Sequence, residues 1–319
     1  MKKGIFLLLF VLLTLVGKAQ QKALYSQYMT NHFILNPAAA GAGKDLNMKL
    51  GYRNQWVGFE GAPQTYYLSG ESALFQNKRG RRRRRGDHGF HGAGGYIYKD
   101  KTGPTSRTGA LLAYAYHLPV ADKVYLSGGL FAGLQQYNFD ESFIHLANGS
   151  NDADPITQNG SSNSFLPDLS LGTMLYSKSY YVSIALFQVL GNKILKFDNS
   201  ENPARLARHL FMSGGYNFEV NKSITVTPSL LLKYVSPVPV QADFNVVGTY
   251  NLNNRRKTDY DDKIWAGLSY RTQDALVGLI GFKFLEQYEL SYSYDITTSA
   301  MRQYSSGSHE IMFGYRVKR

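Results

Sequence analysis

Tyr288-Glu289-Leu290-Ser291-Tyr292-Ser293-Tyr294-Asp295-Ile296 is the stretch that decides the fold. Tyr288, Leu290, Tyr292, Tyr294 and Ile296 take every second position against Glu289, Ser291, Ser293 and Asp295, so both acids fall on the polar face. Successive side chains of a strand point to opposite faces, and the pattern is that of a β-strand with one apolar side. Ile224 to Tyr234 repeats it, with Ile224, Val226, Pro228, Leu230 and Leu232 opposing Thr225, Thr227, Ser229 and Lys233. Pro228 cannot donate to a ladder, so a bulge or an irregular start is expected there. Ala242, Phe244, Val246 and Tyr250 alternate likewise with Gln241, Asp243, Asn245 and Thr249. In the last such segment, Ile311, Phe313, Tyr315 and Val317 alternate with Glu310, Gly314, Arg316 and Lys318.

Outward from these, alternating segments lie near 46–57, 64–76, 90–100, 107–118, 123–138, 167–178, 180–188, 208–221, 223–234, 240–251, 263–271, 275–284, 287–297 and 308–318. The count is even, as in single-chain bacterial outer-membrane barrels, and most segments reach the roughly 9 to 11 residues that a tilted strand needs to cross a bilayer. A soluble β-sandwich uses the same alternation, but three features favour the barrel: strand length, tyrosines placed towards strand ends, and an export signal. The predicted fold is all-β, a transmembrane antiparallel β-barrel of about 14 strands over residues 46–319. Short turns at Lys178-Ser179, Asn221-Lys222 and Leu285-Glu286 then face the periplasm, and the long connections 139–166, 189–207 and 298–307 face outside.

The export signal is Met1-Lys2-Lys3, an apolar run from Gly4 to Val16, and Gly17-Lys18-Ala19-Gln20. It reads as a secretory signal peptide over 1–19, too short to span a bilayer as a helix. No Cys follows it, so no lipid anchor is expected, and the expected location is the outer membrane of a Gram-negative bacterium. Residues 20–45 are too irregular for a strand, and Phe33, Ile34 and Leu35 could insert into the barrel mouth as a plug.

Composition removes other classes. The 319 residues include 24 Tyr and 18 Phe, charged residues are 18%, and mean hydropathy is −0.28, which excludes a bundle of membrane helices. Zero Cys excludes disulfides, thiolate nucleophiles and Cys-ligated metals. The net charge of +12 owes six charges to Arg79, Arg81, Arg82, Arg83, Arg84 and Arg85, a single loop rather than the basic face of a nucleic-acid binder. That loop and the one with Arg255 and Arg256 are the two long periplasmic connections. Each is either a solvated loop or a dock for an acidic partner surface, the guanidiniums pairing with carboxylates.

No catalytic, metal or cofactor constellation emerges, so no enzyme is expected. His88 and His91 lie in a Gly-rich loop without a third ligand, and Asn151-Asp152-Ala153-Asp154 lacks the Gly and distal Glu of a calcium loop. Ser308-His309-Glu310 are consecutive, so in a strand His309 points away from both neighbours. Arg53 and Gln55 fall on the inward face of the first strand, where Asp243, Glu289 or Asp295 could neutralise Arg53.

Several strings go beyond alternation: Ser26-Gln27-Tyr28-Met29 with Leu35-Asn36-Pro37-Ala38, Tyr52-Arg53-Asn54-Gln55-Trp56-Val57-Gly58-Phe59-Glu60-Gly61-Ala62-Pro63, and Tyr304-Ser305-Ser306-Gly307-Ser308-His309-Glu310. With Tyr114-Ala115-Tyr116-His117-Leu118 and Pro239-Val240-Gln241, they resemble the PorP/SprF family across nearly the whole mature chain. The resemblance implies an outer-membrane barrel of the type IX secretion and gliding apparatus of Bacteroidota. It also implies binding of secreted cargo or adhesins with a C-terminal sorting domain, and of periplasmic peptidoglycan-associated and ring-forming lipoprotein partners. The alternative from the residues alone is a passive porin or uptake channel.

Overall fold

The computed structural model describes residues 22–23, 25–74, 89–140, 162–193, 205–252 and 262–318. Fourteen antiparallel strands follow one another around a closed barrel. They are β1 (Leu46–Asn54), β2 (Gln64–Leu74), β3 (Phe90–Thr102), β4 (Thr105–Ala121), β5 (Val124–Phe139), β6 (Ser162–Tyr176) and β7 (Tyr180–Phe187). The circuit continues with β8 (His209–Tyr216, resumed at Phe218–Glu219), β9 (Ile224–Val235), β10 (Val238–Asn251), β11 (Lys263–Arg271), β12 (Ala275–Phe284), β13 (Tyr288–Thr297) and β14 (Ser308–Val317). Pairing of β14 with β1 closes it, Arg53 lying opposite Glu310. Each strand pairs with its sequence neighbours, so among the described strands no sheet edge meets lipid.

Alternation sorts the side chains. Leu50, Leu68, Ile97, Leu112, Leu134 and Leu268 project from the outer wall, while Ser69, Gln135, Ser170, Asn245 and Ser293 are buried inside. Aromatic pairs such as Tyr52–Tyr66 at one rim and Tyr288–Tyr315 at the other sit where amphipathic rings favour the membrane–water boundary. The start of β1 and the end of β14 lie at the same rim of the barrel, the periplasmic one in even-stranded outer-membrane barrels.

Three local readings change. The register of β9 against β10 runs straight through Pro228, which faces Val246, and shifts only between Lys233 and Val235. The ladder towards β8 is what breaks, at Asn217, where Pro228 has no N–H to offer; Thr227 Oγ1 donates to Asn217 Oδ1 instead. Strand β6 begins at Ser162 rather than 167, because Pro167 is accommodated opposite Leu134 with its carbonyl taken by Asn192. Strand β1 ends at Asn54, since Trp56 adopts φ +54 in the turn to β2.

Candidate functional site

The interior is occupied by the chain's own N-terminal segment, residues 25–43, wound in three short 3-10 turns, Tyr28–Thr30, His32–Ile34 and Pro37–Ala39. Such turns leave many backbone groups unpaired, and the barrel wall supplies their partners. Tyr25, Tyr28, Phe33, Ile34, Ala38 and Ala40 are almost wholly buried. Phe33 packs on Phe131 of β5 at 5.2 Å, and Tyr25 on Tyr67 of β2 at 5.0 Å.

At the outer end of the lumen Ser26 is the centre of a charged cluster. Its N–H donates to Glu310 Oε2 (2.7 Å) and its hydroxyl to Asp295 Oδ2 (2.7 Å), while the same hydroxyl oxygen accepts from Arg53 Nη1 (2.6 Å) and Arg271 Nη2 (3.0 Å). Arg53 pairs with Asp295 (2.8 Å) and Glu310 (3.2 Å); Arg271 pairs with Asp243 (3.1 Å), Asp274 (3.1 Å) and Asp295 (3.2 Å). Arg53, Arg271, Asp295 and Glu310 are each at most 2% exposed, so the two guanidiniums and their carboxylates hold one another out of water. The groups lie near the outward-running ends of β1, β11 and β13 and the starts of β10 and β14, which is why strands far apart in sequence deliver them to one level.

At the inner end the hold is steric. Ala73, Gly92, Ala115, Gly129, Gly172 and Ala185 are successive register partners across β2 to β7, a shelf one residue deep. The turn at 36–40 sits on it. A Cβ on Gly92 would fall 1.8 Å from the Ala40 carbonyl oxygen, one on Gly129 2.7 Å from Ala38 Cα, and one on Gly172 1.9 Å from Asn36 Oδ1. Polar bonds complete the seat: Asn36 donates to the Thr173 carbonyl (2.9 Å), Ser127 Oγ donates to that of Ala38, and the ring of His117 contacts that of Ala40 (2.8 Å).

Two vestibules remain. The outer one, about 530 Å3, is lined by Lys22, Gln55, Trp56, Arg107, Gln241 and Gln273 among others. The inner one, about 300 Å3, is lined by His32, Asn47, Glu71, Lys283, Glu289 and Arg316 among others. Burial, partly offset by Asp168, pushes Lys22 down to about 7, and its ammonium lies 3.2 Å over the Phe187 ring. Burial pushes His32 down to about 4, with Lys49 acting in the same direction, and its ring packs against that of Tyr181, tilted by 55°, at 4.5 Å.

The structure brings Arg53, Asp243 and Asp295 together in the outer cluster, with Asp243 acting through Arg271. Glu289 is at the other end of the barrel, 3.5 Å from Lys49, because β13 starts at the inner rim. Gln55 lies past the end of β1, its N–H on the Pro63 carbonyl and its side chain at the outer vestibule. Alternation also puts Arg271 and Glu310 on inward faces, whereas Ser26 and Asp274 lie outside the strands, where alternation gives no signal. Arg79, Arg81 to Arg85, Arg255, Arg256, His88, the stretch 151–154 and the signal peptide lie outside the described residues. His91 faces outward, 2.7 Å from the Tyr114 hydroxyl. Among the described residues no group of His, Asp or Glu is placed to hold a metal.

A family model, "Type IX secretion system membrane protein PorP/SprF", matches residues 17–315. The chain belongs to the PorP/SprF family. Three of the strings that carry the likeness, at Ser26, Arg53 and Glu310, meet in the outer cluster, so this PorP/SprF protein joins its N-terminal segment to its wall through them. No match was found among curated proteins. Solved structures share its fold. The CymD monoaromatic hydrocarbon channel is 12% identical, with 93% of each chain covered and a TM-score of 0.50. The toluene transporter TbuX of Ralstonia pickettii is 10% identical over 91% of this chain and 93% of its own, with a TM-score of 0.48. The toluene transporter TodX of Pseudomonas putida is 10% identical over 90% and 92%, also at 0.48. The likeness to CymD shows the barrel fold alone.

Proposed function

We propose that this PorP/SprF protein is a receptor in the outer membrane, binding secreted cargo or an adhesin through its C-terminal sorting domain and contacting periplasmic partners of the type IX machinery, with no catalytic step. The observation that carries this reading is the filled lumen. A barrel occupied by its own chain, held by buried ion pairs and a fitted shelf, is built to present a surface rather than to stay open. The outer vestibule, with Trp56, Arg107 and three glutamine side chains, offers the mixed aromatic and amide lining that suits a polypeptide partner.

On the periplasmic side, Arg79, Arg81 to Arg85, Arg255 and Arg256 would dock acidic surfaces of peptidoglycan-associated or lipoprotein partners by bidentate pairing. A photo-cross-linking residue at Gln273 is expected to capture a secreted protein on intact cells, whereas a residue at Leu268, on the lipid face, should not. Equal capture at both positions defeats the receptor reading. Replacing Arg81 to Arg85 with Ser should reduce co-purification of periplasmic partners, and an unchanged pull-down removes the docking role.

The second reading is a passive porin or uptake channel. It draws support from the CymD fold likeness, that protein being a hydrocarbon channel. It requires the segment 25–43 to leave the lumen. A steady, large conductance from the intact protein in planar bilayers would favour it.

A further inference from the structure

Register places a ring of inward side chains at the level of Arg53. Glu310 of β14 faces Arg53 of β1, Arg53 faces Thr65 of β2, and Thr65 faces Asp100 of β3. Asp100 faces Arg107 of β4, and Arg107 faces Tyr137 of β5. The two arginines of this ring differ in their surroundings. Arg53 is 1% exposed, bonded to Ser26 and paired with Asp295 and Glu310. Arg107 is half-buried, lines the outer vestibule and forms no ion pair among the described residues. Asp100, directly opposite, accepts instead from Thr65 Oγ1 (2.7 Å), and the Arg107 guanidinium lies over the Tyr137 ring, 5.5 Å from its centre. A guanidinium held on an aromatic face keeps its in-plane N–H groups for a carboxylate, which it meets in a bidentate pair.

The vestibule that Arg107 lines ends blind. Lys22 and Ala23 of the N-terminal segment line it, and the gap they share with Tyr25, Tyr96, Tyr98 and Gln188 is about 10 Å3, no more than a single water needs. At about 530 Å3 the vestibule has the volume of a small-ligand site, so it accommodates the end of a polypeptide but not a chain running through. Trp56, in the turn between β1 and β2, contributes its side chain to the wall from a backbone at φ +54, a conformation that a bulky residue keeps only under constraint. Its N–H is held by Ser308 Oγ at 3.1 Å. We propose that the outer vestibule receives the C-terminal end of a polypeptide, the free α-carboxylate pairing with Arg107 and the last side chain packing on Trp56. The amides of Gln55, Gln241 and Gln273 offer donors and acceptors to the last peptide groups. This assignment rests on the reading that the outer vestibule seats a polypeptide partner; it adds which end enters and which group is recognised.

The probes are acetylated tetrapeptides: Ala-Ala-Ala-Phe as the free acid, the same sequence as the C-terminal amide, and Ala-Ala-Glu-Phe amide, whose only carboxylate is on a side chain. Binding to the purified, folded barrel is read from tryptophan emission, since Trp56 lines the vestibule and Trp265, the other tryptophan, lies in a buried cluster. The free acid should bind at least about tenfold more tightly than either amide, as a charge-assisted bidentate pair provides. Arg107→Gln should erase that ratio and Arg107→Lys should keep part of it. Asp100→Asn, which removes the acid opposite Arg107, should tighten the free acid and leave the amides unchanged. The heat-modifiable shift of the barrel on gels reports that each variant is folded. Equal binding of free acid and amide by the parent overturns the proposal, as does unchanged emission with all three peptides. So does a ratio that survives Arg107→Gln in a folded barrel, or a side-chain acid bound as tightly as the free terminus. Should Arg107→Gln not fold, the parent's ratio and the Asp100→Asn response decide. Cross-linking at Gln273 is scored separately: capture on cells without a carboxylate preference removes this assignment alone, and a carboxylate preference without capture removes the receptor reading.

Discussion

At its outer end the N-terminal segment meets two guanidiniums and two carboxylates through Ser26, whereas at its inner end residues 36–40 meet a shelf almost without side chains. The outer contact is charged and directional. Each ion there is affordable only because its partners are in place, and the hydroxyl of Ser26 accepts from both arginines at once. The inner contact works by exclusion, since the backbone of the segment approaches the wall more closely than any Cβ allows. The difference teaches that the two ends fail differently: removing atoms breaks the outer end, and adding atoms breaks the inner one.

The largest effect is expected from Arg53→Ala, which leaves Glu310 without its guanidinium and Asp295 with Arg271 alone. Breaking a buried pair from one side costs about 3–5 kcal/mol. The expected readout is loss of the outer anchor, seen as protease cleavage near Tyr25 from the cell surface with the barrel intact. Protection equal to that of the parent would show that the cluster does not hold the segment. Gly129→Val tests the other end. Overpacking costs about 1–3 kcal/mol, and the added methyls would occupy the place of Ala38, so the segment should lift at its inner end and hydrogen exchange over 36–40 should accelerate. If exchange at 25–28 accelerates equally in Gly129→Val, the two ends are one cooperative unit and the contrast between them dissolves.

The alternation that defines the barrel was legible because a lipid-facing wall enforces period two on every strand, as in Tyr288 to Ile296. The inward placement of Arg53, Asp243 and Asp295 followed from the same rule. Their partners did not. Whether Asp295 or Glu289 meets Arg53 depends on which rim each occupies, and that is fixed by the register β13 takes between β12 and β14. The shelf was still harder to see. Gly92, Gly129 and Gly172 are about forty residues apart in sequence and ordinary within their own strands; only the perpendicular direction, set by register, joins them. Pro167 and Pro228 misled at strand ends for a common reason: a missing N–H is tolerated where one neighbouring ladder carries the strand.

The smallest and sharpest test of the contrast is acid. His32 belongs to the inner half, against Tyr181, and with burial lowering it to about 4 it is held neutral. A group whose folded value lies below its unfolded one contributes stability that is complete above about 6.5 and declines as pH falls towards 4, because the released segment then binds the proton more readily. Hydrogen exchange over residues 30–40 should therefore rise on going from pH 7 to pH 4, after correction for the intrinsic rate, and the rise should shrink in His32→Gln. The bonds around Ser26 should change less over the same range in both proteins. A His32→Gln variant as acid-sensitive as its parent would move the origin of the effect from the inner half to the carboxylates of the outer cluster.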